Sequence, residues 1–167
     1  MLQQQNVFVM PLINTNQNIQ TVILDAYWSN RKNELPRNTS LFDGLTYTAH
    51  KIYLQEKHTV IVDDVPVFSF DPKQCKFVRP LSSKNNCEED KTYFDKKYLT
   101  YISTIEQLKK NKEISVINTV PLFCNEKNCL MEKNGKLLYR DDQHLNIEGS
   151  RYIGKFIADE MKKKKLF

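Results

Sequence analysis

Three stretches of the chain are nearly continuous β-branched and aliphatic runs, at residues 21–28, 58–65 and 113–120. Runs of that length, without polar alternation, suit the strands of a parallel sheet covered on both faces. Pro66 and Pro121 stop the second and third, since proline brings no N–H to a ladder. Residues 6–10 form a weaker fourth strand candidate. Between the runs the apolar spacing becomes helical. Leu41, Leu45, Ala49 and Ile52 make one stripe within 40–56. Phe94, Tyr98, Tyr101, Ile105 and Leu108 make another within 91–110, at steps of four and three. An aromatic stripe at helical spacing reads as core packing. A last helix should start after Asn146, a good N-cap, and bury Ile153, Phe156 and Ile157.

Strand and helix in alternation predict a three-layer α/β domain with right-handed crossovers. The second crossover is long, and residues 68–90 read as an insertion loop. In such sheets the chemistry sits beyond the carboxyl ends of the strands. Residues 27–30, 63–66 and the loop after Val120 should therefore reach the working edge. No repeat or domain boundary interrupts the 167 residues, which read as a single domain.

Composition adds limits. Hydrophobic content of 40% and charged content of 27% fit a globular chain. Lys162, Lys163, Lys164 and Lys165 carry four of the five net positive charges, leaving +1 for the rest. A basic run there suits a solvated helix end, favoured by the C-terminal dipole. No basic stripe interleaved with aromatics points to nucleic acid. Only four glycines occur, and no phosphate-cradling motif is present, so no nucleotide cofactor is expected. The four cysteines form two local pairs, Cys75 with Cys87 and Cys124 with Cys129, each spanning polar, turn-rich sequence. An even count in local pairs favours two disulfides and an oxidising compartment. Four reduced cytosolic thiols are the alternative. A zinc site from Cys124, Cys129 and His144 is a third reading, although its spacing matches no standard ligand set.

The sharpest chemical signal is Asp141-Asp142-Gln143-His144-Leu145-Asn146. A carboxylate three residues before an imidazole suits a dyad in which Asp141 orients His144 and His144 takes a proton from a nucleophile. The plain alternative is a polar turn whose acids favour a helix N-terminus. No serine stands on a glycine-flanked strand-to-helix turn. Ser29 lies at the right edge but lacks the neighbouring glycine, and Ser82, Ser83 and Ser150 read as loop or helix-start residues.

In this setting the chain resembles the C-terminal SGNH domain of acyltransferase-three O-acyltransferases, membrane proteins that modify bacterial surface polysaccharides. The likeness is carried by residues 22–29, 60–66, the Cys124/Cys129 pair ahead of Asn134-Gly135, and 138–146 with Gly149-Ser150. It spans about residues 20–160. It implies a flavodoxin-like parallel sheet with helices on both faces, His144 as general base and Asp141 as its orienting partner. It further implies an acyl donor and a glycan acceptor as substrates, an upstream membrane acyltransferase domain, and a periplasmic or extracytoplasmic location. It implies no metal or organic cofactor. The family's third block places Trp28 and Asn30 in the oxyanion region.

The opening Gly-Asp-Ser block is absent. The resemblance therefore describes an incomplete SGNH domain lacking its opening strand and its nucleophile, inactive alone. A non-catalytic α/β remnant that binds a glycan or a protein is the alternative, and a chain translated from Met1 would remain in the cytoplasm.

Overall fold

The computed structural model describes residues 2–33, 39–76 and 87–166. It is a mixed α/β structure built on a parallel sheet. Helix α1 (Leu2–Thr15) leads into strand β1 (Thr21–Leu24), followed by a 3₁₀ turn at Trp28–Asn33. Helix α2 (Leu41–Tyr53) precedes β2 (His58–Val62), and a short α3 (Lys73–Lys76) precedes β3 (Glu88–Asp90). Helices α4 (Lys91–Lys97) and α5 (Leu99–Leu108) lead to β4 (Ile114–Ile117). Three small strands, β5 (Asn128–Leu130), β6 (Glu132–Lys133) and β7 (Lys136–Leu137), come before α6 (Ile147–Lys163).

The main sheet has the order β1-β2-β4, all parallel, with Ile23 opposite Val60 and Ile61 opposite Val116. Side chains alternate across it, as the two-residue period of a strand requires. Ile61 and Ile114 face α2 and α5, packing with Leu45, Ala49, Tyr101, Ile105 and Leu108. Val60 and Ile117 face the other way, onto Met161 of α6 and Leu166. Helices therefore cover both faces, as the continuous apolar runs require. The amphipathic stripes are where the spacing puts them: Leu45, Ala49, Ile52, Phe94, Tyr98, Tyr101, Ile105 and Leu108 are buried. Ile153, Phe156 and Ile157 are only partly buried, and Met161 takes the deepest place on α6.

Three expectations change. Residues 6–10 lie within α1 and form no strand. The 91–110 helix is broken at Tyr98, whose backbone (φ −113°, ψ 19°) ends α4 and starts α5. The core strands are four or five residues long, not eight, because their C-terminal residues spend backbone groups on side chains beyond the ladder. The far edge of β1 pairs with no other strand among the described residues. Beside it Ile23 is 47% exposed, and Leu12 on α1 is also exposed.

Both cysteine pairs are disulfides, Cys75–Cys87 and Cys124–Cys129. The first lies within the insertion loop and closes its central stretch, of which residues 77–86, including Ser82 and Ser83, lie outside the described residues. The second engages the two sulfurs that the zinc alternative needed. Around them a second core gathers Phe68, Phe123, Met131, Leu138 and Tyr139. Asn134 (φ 52°) and Gly135 (φ 72°) turn β6 into β7 in the left-handed conformation that an Asn-Gly pair accepts. Lys162–Lys165 are all exposed, in keeping with a solvated helix end.

Helix α6 starts under a tight steric condition. A Cβ at Gly149 would clash with the Leu138 carbonyl oxygen, so only glycine lets the helix approach the residue that follows β7. We expect Gly149→Ala to cost about 1–3 kcal/mol, as overpacked sites do, measured as a lowered urea midpoint with unchanged slope. Gly154→Ala, which meets nothing within 4 Å, is the matched control and should be neutral or slightly stabilising.

Candidate active site

The carboxyl end of the sheet is organised by two adjacent acids, Asp63 and Asp64, each under one-tenth exposed. They follow β2, the central strand, where both neighbouring strand exits converge. The Asp64 carboxylate accepts the backbone N–H of Trp28 and of Ser29, each at 2.9 Å. It caps the 3₁₀ turn from across the sheet, supplying acceptors for its otherwise unmet first donors. The Trp28 indole N–H donates to the Val62 carbonyl at 2.9 Å. Tyr101 on α5 donates its hydroxyl to Asp63 Oδ1 and accepts the Asp64 N–H at 2.9 Å. Thr119, fully buried beyond β4, has its hydroxyl 2.9 Å from the Asp64 carbonyl and 3.2 Å from that of Asp63. All three strand exits and α5 are thus held by one hydrogen-bonded network.

A cleft of about 430 Å³ opens over this edge. Asp25, Asp63, Asp64 and Tyr27 line it from the sheet, and His144, Gln143 and Arg140 from the loop ahead of α6. That loop is closed on itself. The Arg140 N–H bonds the His144 carbonyl at 2.8 Å, and the Asn146 N–H bonds that of Leu138 at 2.9 Å. The Asn146 side chain accepts the Gly149 N–H at 2.9 Å, capping α6 as its sequence position predicts. Its amide also donates to the Leu137 carbonyl at 2.7 Å. Tyr139, buried below, donates to the Pro66 carbonyl at 3.0 Å and stacks edge-on with Phe68 and Phe123. The Phe68 N–H in turn bonds the Asp142 carbonyl at 2.9 Å. The loop is thereby docked onto the segment that leaves β2.

Within it, His144 Nδ1 stands 2.9 Å from both Asp141 carboxylate oxygens. Asp141 Oδ1 also accepts the N–H groups of His144 (2.7 Å) and Gln143 (3.1 Å). Burial pushes the Asp141 carboxyl up, but these donors, the His144 ring included, outweigh it and hold the group down at about 2. An ionised partner at Nδ1 fixes that nitrogen as the N–H donor, leaving the Nε2 lone pair free to accept a proton. The ring is 55% exposed, so a substrate can reach it. Among the described residues no hydroxyl bonds the ring: Ser150 lines the same cleft from α6, while Ser29 gives its backbone N–H to Asp64.

The remaining sequence candidates fall differently. Both donors of Trp28 are engaged, by Asp64 and by the Val62 carbonyl, so it has no N–H for an oxyanion and serves to fix the β1 exit. Asn30 lines an adjoining cavity of about 300 Å³ rather than the His144 cleft. The Asp63–Tyr101–Thr119 network leaves almost no trace in the local sequence pattern. Its one signal is two acids ending a buried strand, which demand partners.

A family model described as an SGNH domain fused to AT3 domains matches residues 3–159. Among solved structures, the periplasmic domain of a lipopolysaccharide acetyltransferase from Salmonella ser. Paratyphi A is similar, with 17% identity and a TM-score of 0.54. The match covers 95% of this chain and 62% of that one, so the chain spans under two thirds of the neighbour's length. No curated protein sequence gives a significant match.

The acids also set a pH dependence. Burial, with a smaller contribution from Asp64, raises Asp63 to about 6 against the opposing Tyr101 hydrogen bond, and Asp64 is raised as well. A folded pKa above the unfolded 3.8 means stabilisation that is full below about pH 4 and lost as pH rises through 6. For Asp63 this amounts to about 3 kcal/mol. Asp141 acts oppositely, losing its contribution as pH falls from about 4 towards 2. Denaturant unfolding from pH 4 to 7.5 should therefore show falling stability, and Asp63→Asn should flatten that slope.

Proposed function

Because the chain belongs to the SGNH domains that are fused to AT3 domains, we propose that it forms part of an O-acyltransferase or esterase centre acting on a bacterial surface glycan. The observation that carries this reading is the His144 ring held against an ionised Asp141 at 2.9 Å, in the cleft shared with the sheet's carboxyl ends. His144 is the general base, and Asp141 fixes its tautomer and stabilises the imidazolium that forms. Residues 1–167 constitute one incomplete SGNH-like domain, and the attacking serine comes from outside them. The absence of any hydroxyl on the His144 ring among the described residues supports that assignment.

The chemistry follows from these roles. The His144 Nε2 lone pair takes the serine proton as the oxygen attacks the acyl carbonyl. The imidazolium returns that proton to the departing group, leaving an acyl-serine. A glycan hydroxyl then loses its proton to Nε2 and attacks the acyl-serine, and the proton passes back to the serine as it leaves. Water in place of the glycan gives hydrolysis. Asp141, held at about 2, remains ionised across the working range, so the acid limb of activity belongs to other groups. The two disulfides and the periplasmic neighbour favour an extracytoplasmic setting.

A non-catalytic glycan-binding module is the second reading, favoured by Ser29 lining the adjoining cavity and not the His144 cleft. Fluorophosphonate labelling separates the two. Joined to an AT3-containing polypeptide, the domain should label at a serine outside these residues. There His144→Ala and Asp141→Asn should each slow labelling about 10³–10⁴-fold. Residues 1–167 alone should not label. Labelling of Ser29 or Ser150 in the isolated chain, or indifference to His144→Ala, would overturn the catalytic assignment.

A further inference from the structure

Next to the His144 cleft lies the second cavity, of about 300 Å³, lined by Tyr27, Asn30, Lys97, Tyr98, Thr100 and Gln143 among others. Gln143, Tyr27 and Val67 line both spaces, so the two adjoin. Asn30 comes from the 3₁₀ turn after β1 and Gln143 from the loop ahead of α6. Neither carboxamide side chain has a hydrogen-bond partner among the described residues, although the backbone around each is fixed. The 3₁₀ turn is capped by Asp64, and the Gln143 N–H bonds Asp141 at 3.1 Å. The result is a pair of unengaged amides on rigid supports, facing one cavity from opposite elements.

The chemistry of that lining selects its ligand. A carboxamide offers a donor and an acceptor side by side, matching a vicinal diol, in which each hydroxyl both donates and accepts. Thr100 adds a hydroxyl, and the Tyr27 and Tyr98 hydroxyls stand 3.5 Å apart at the wall. Charge is balanced, with Lys97 and Asp142 both on the lining, so the cavity selects neither an anion nor a cation. An apolar ligand would strand these polar groups without partners. What fits is a neutral polyol ring with aromatic walls to pack on.

Resting on the acyl-transfer reading above, we infer that this cavity is the acceptor subsite, where Asn30 and Gln143 grip vicinal hydroxyls of a neutral sugar and turn a further hydroxyl towards His144. Of the residues that line both spaces, Gln143 is the immediate neighbour of the base. Asn30 is then a specificity residue for the acceptor, lining the cavity beside the His144 cleft.

The test is a titration of the ¹⁵N-labelled chain with a panel of neutral oligosaccharide repeat units released from bacterial surface polysaccharides. The readout is the side-chain amide signals of Asn30 and Gln143. At least one member should shift both saturably, and Asn30→Ala and Gln143→Ala should each weaken that binding about tenfold, the loss of one or two hydrogen bonds. Tyr47→Ala, on the exposed face of α2, should leave it unchanged. The Nδ1–H signal of His144 should persist in both cavity variants, separating lost sugar contacts from a collapsed loop. No saturable shift with any member, or shifts confined to other surfaces, overturns the subsite. If His144-dependent labelling holds while sugar binding fails, the subsite alone falls. If sugar binds here and labelling fails, the catalytic reading falls and the binding site stands.

Discussion

Two carboxylates at the end of the central strand govern how the working edge of this domain is built. Asp63 and Asp64 are nearly buried, and buried acids cost heavily unless every oxygen is engaged. Meeting that demand draws in the Trp28 and Ser29 amides after β1 and the Tyr101 hydroxyl from α5, while Thr119 after β4 donates to the backbone carbonyls of the same two residues. The same groups satisfy backbone donors and acceptors where the strands leave the ladder. The exits cannot move independently, and the floor of the cleft is correspondingly rigid.

The dyad loop is fixed by separate means. Tyr139 anchors it from below through the Pro66 carbonyl, Asn146 closes it from the side, and Gly149 lets α6 pack directly against Leu138. The Phe68 amide ties its outer turn to the segment leaving β2. Asp141 therefore needs no deep burial to hold His144. Three donors on one exposed carboxylate, two of them backbone amides, supply the orientation. Rigid floor and rigid loop meet at Gln143, which borders both cavities.

The exposed side of β1 is the counterpoint to this rigidity. Its outer edge has no partner strand among the described residues, and Ile23 stands half-exposed beside it. An open, apolar edge of this kind invites strand pairing.

Much was legible from the residues alone. Continuous apolar runs gave the three parallel strands, helical stripes gave α2, α5 and their buried faces, and the local spacing of the cysteines gave both disulfides. The Asp141–His144 pairing was legible because both partners sit on one short turn, where spacing fixes distance. Residues 6–10 misled because a short apolar run has no period of its own, and only the continuation through α1 shows its helix. Long-range partners carried no sequence signal: Asp64 reaching back to Trp28, Tyr101 to Asp63, and Asn30 to the same cavity as Gln143. Local pattern determined which elements form and which face each one buries, because periodicity and turn chemistry act over a few residues. Tertiary structure alone decided which groups meet at the sheet's edge, because crossovers bring together residues whose separation along the chain says nothing about their distance.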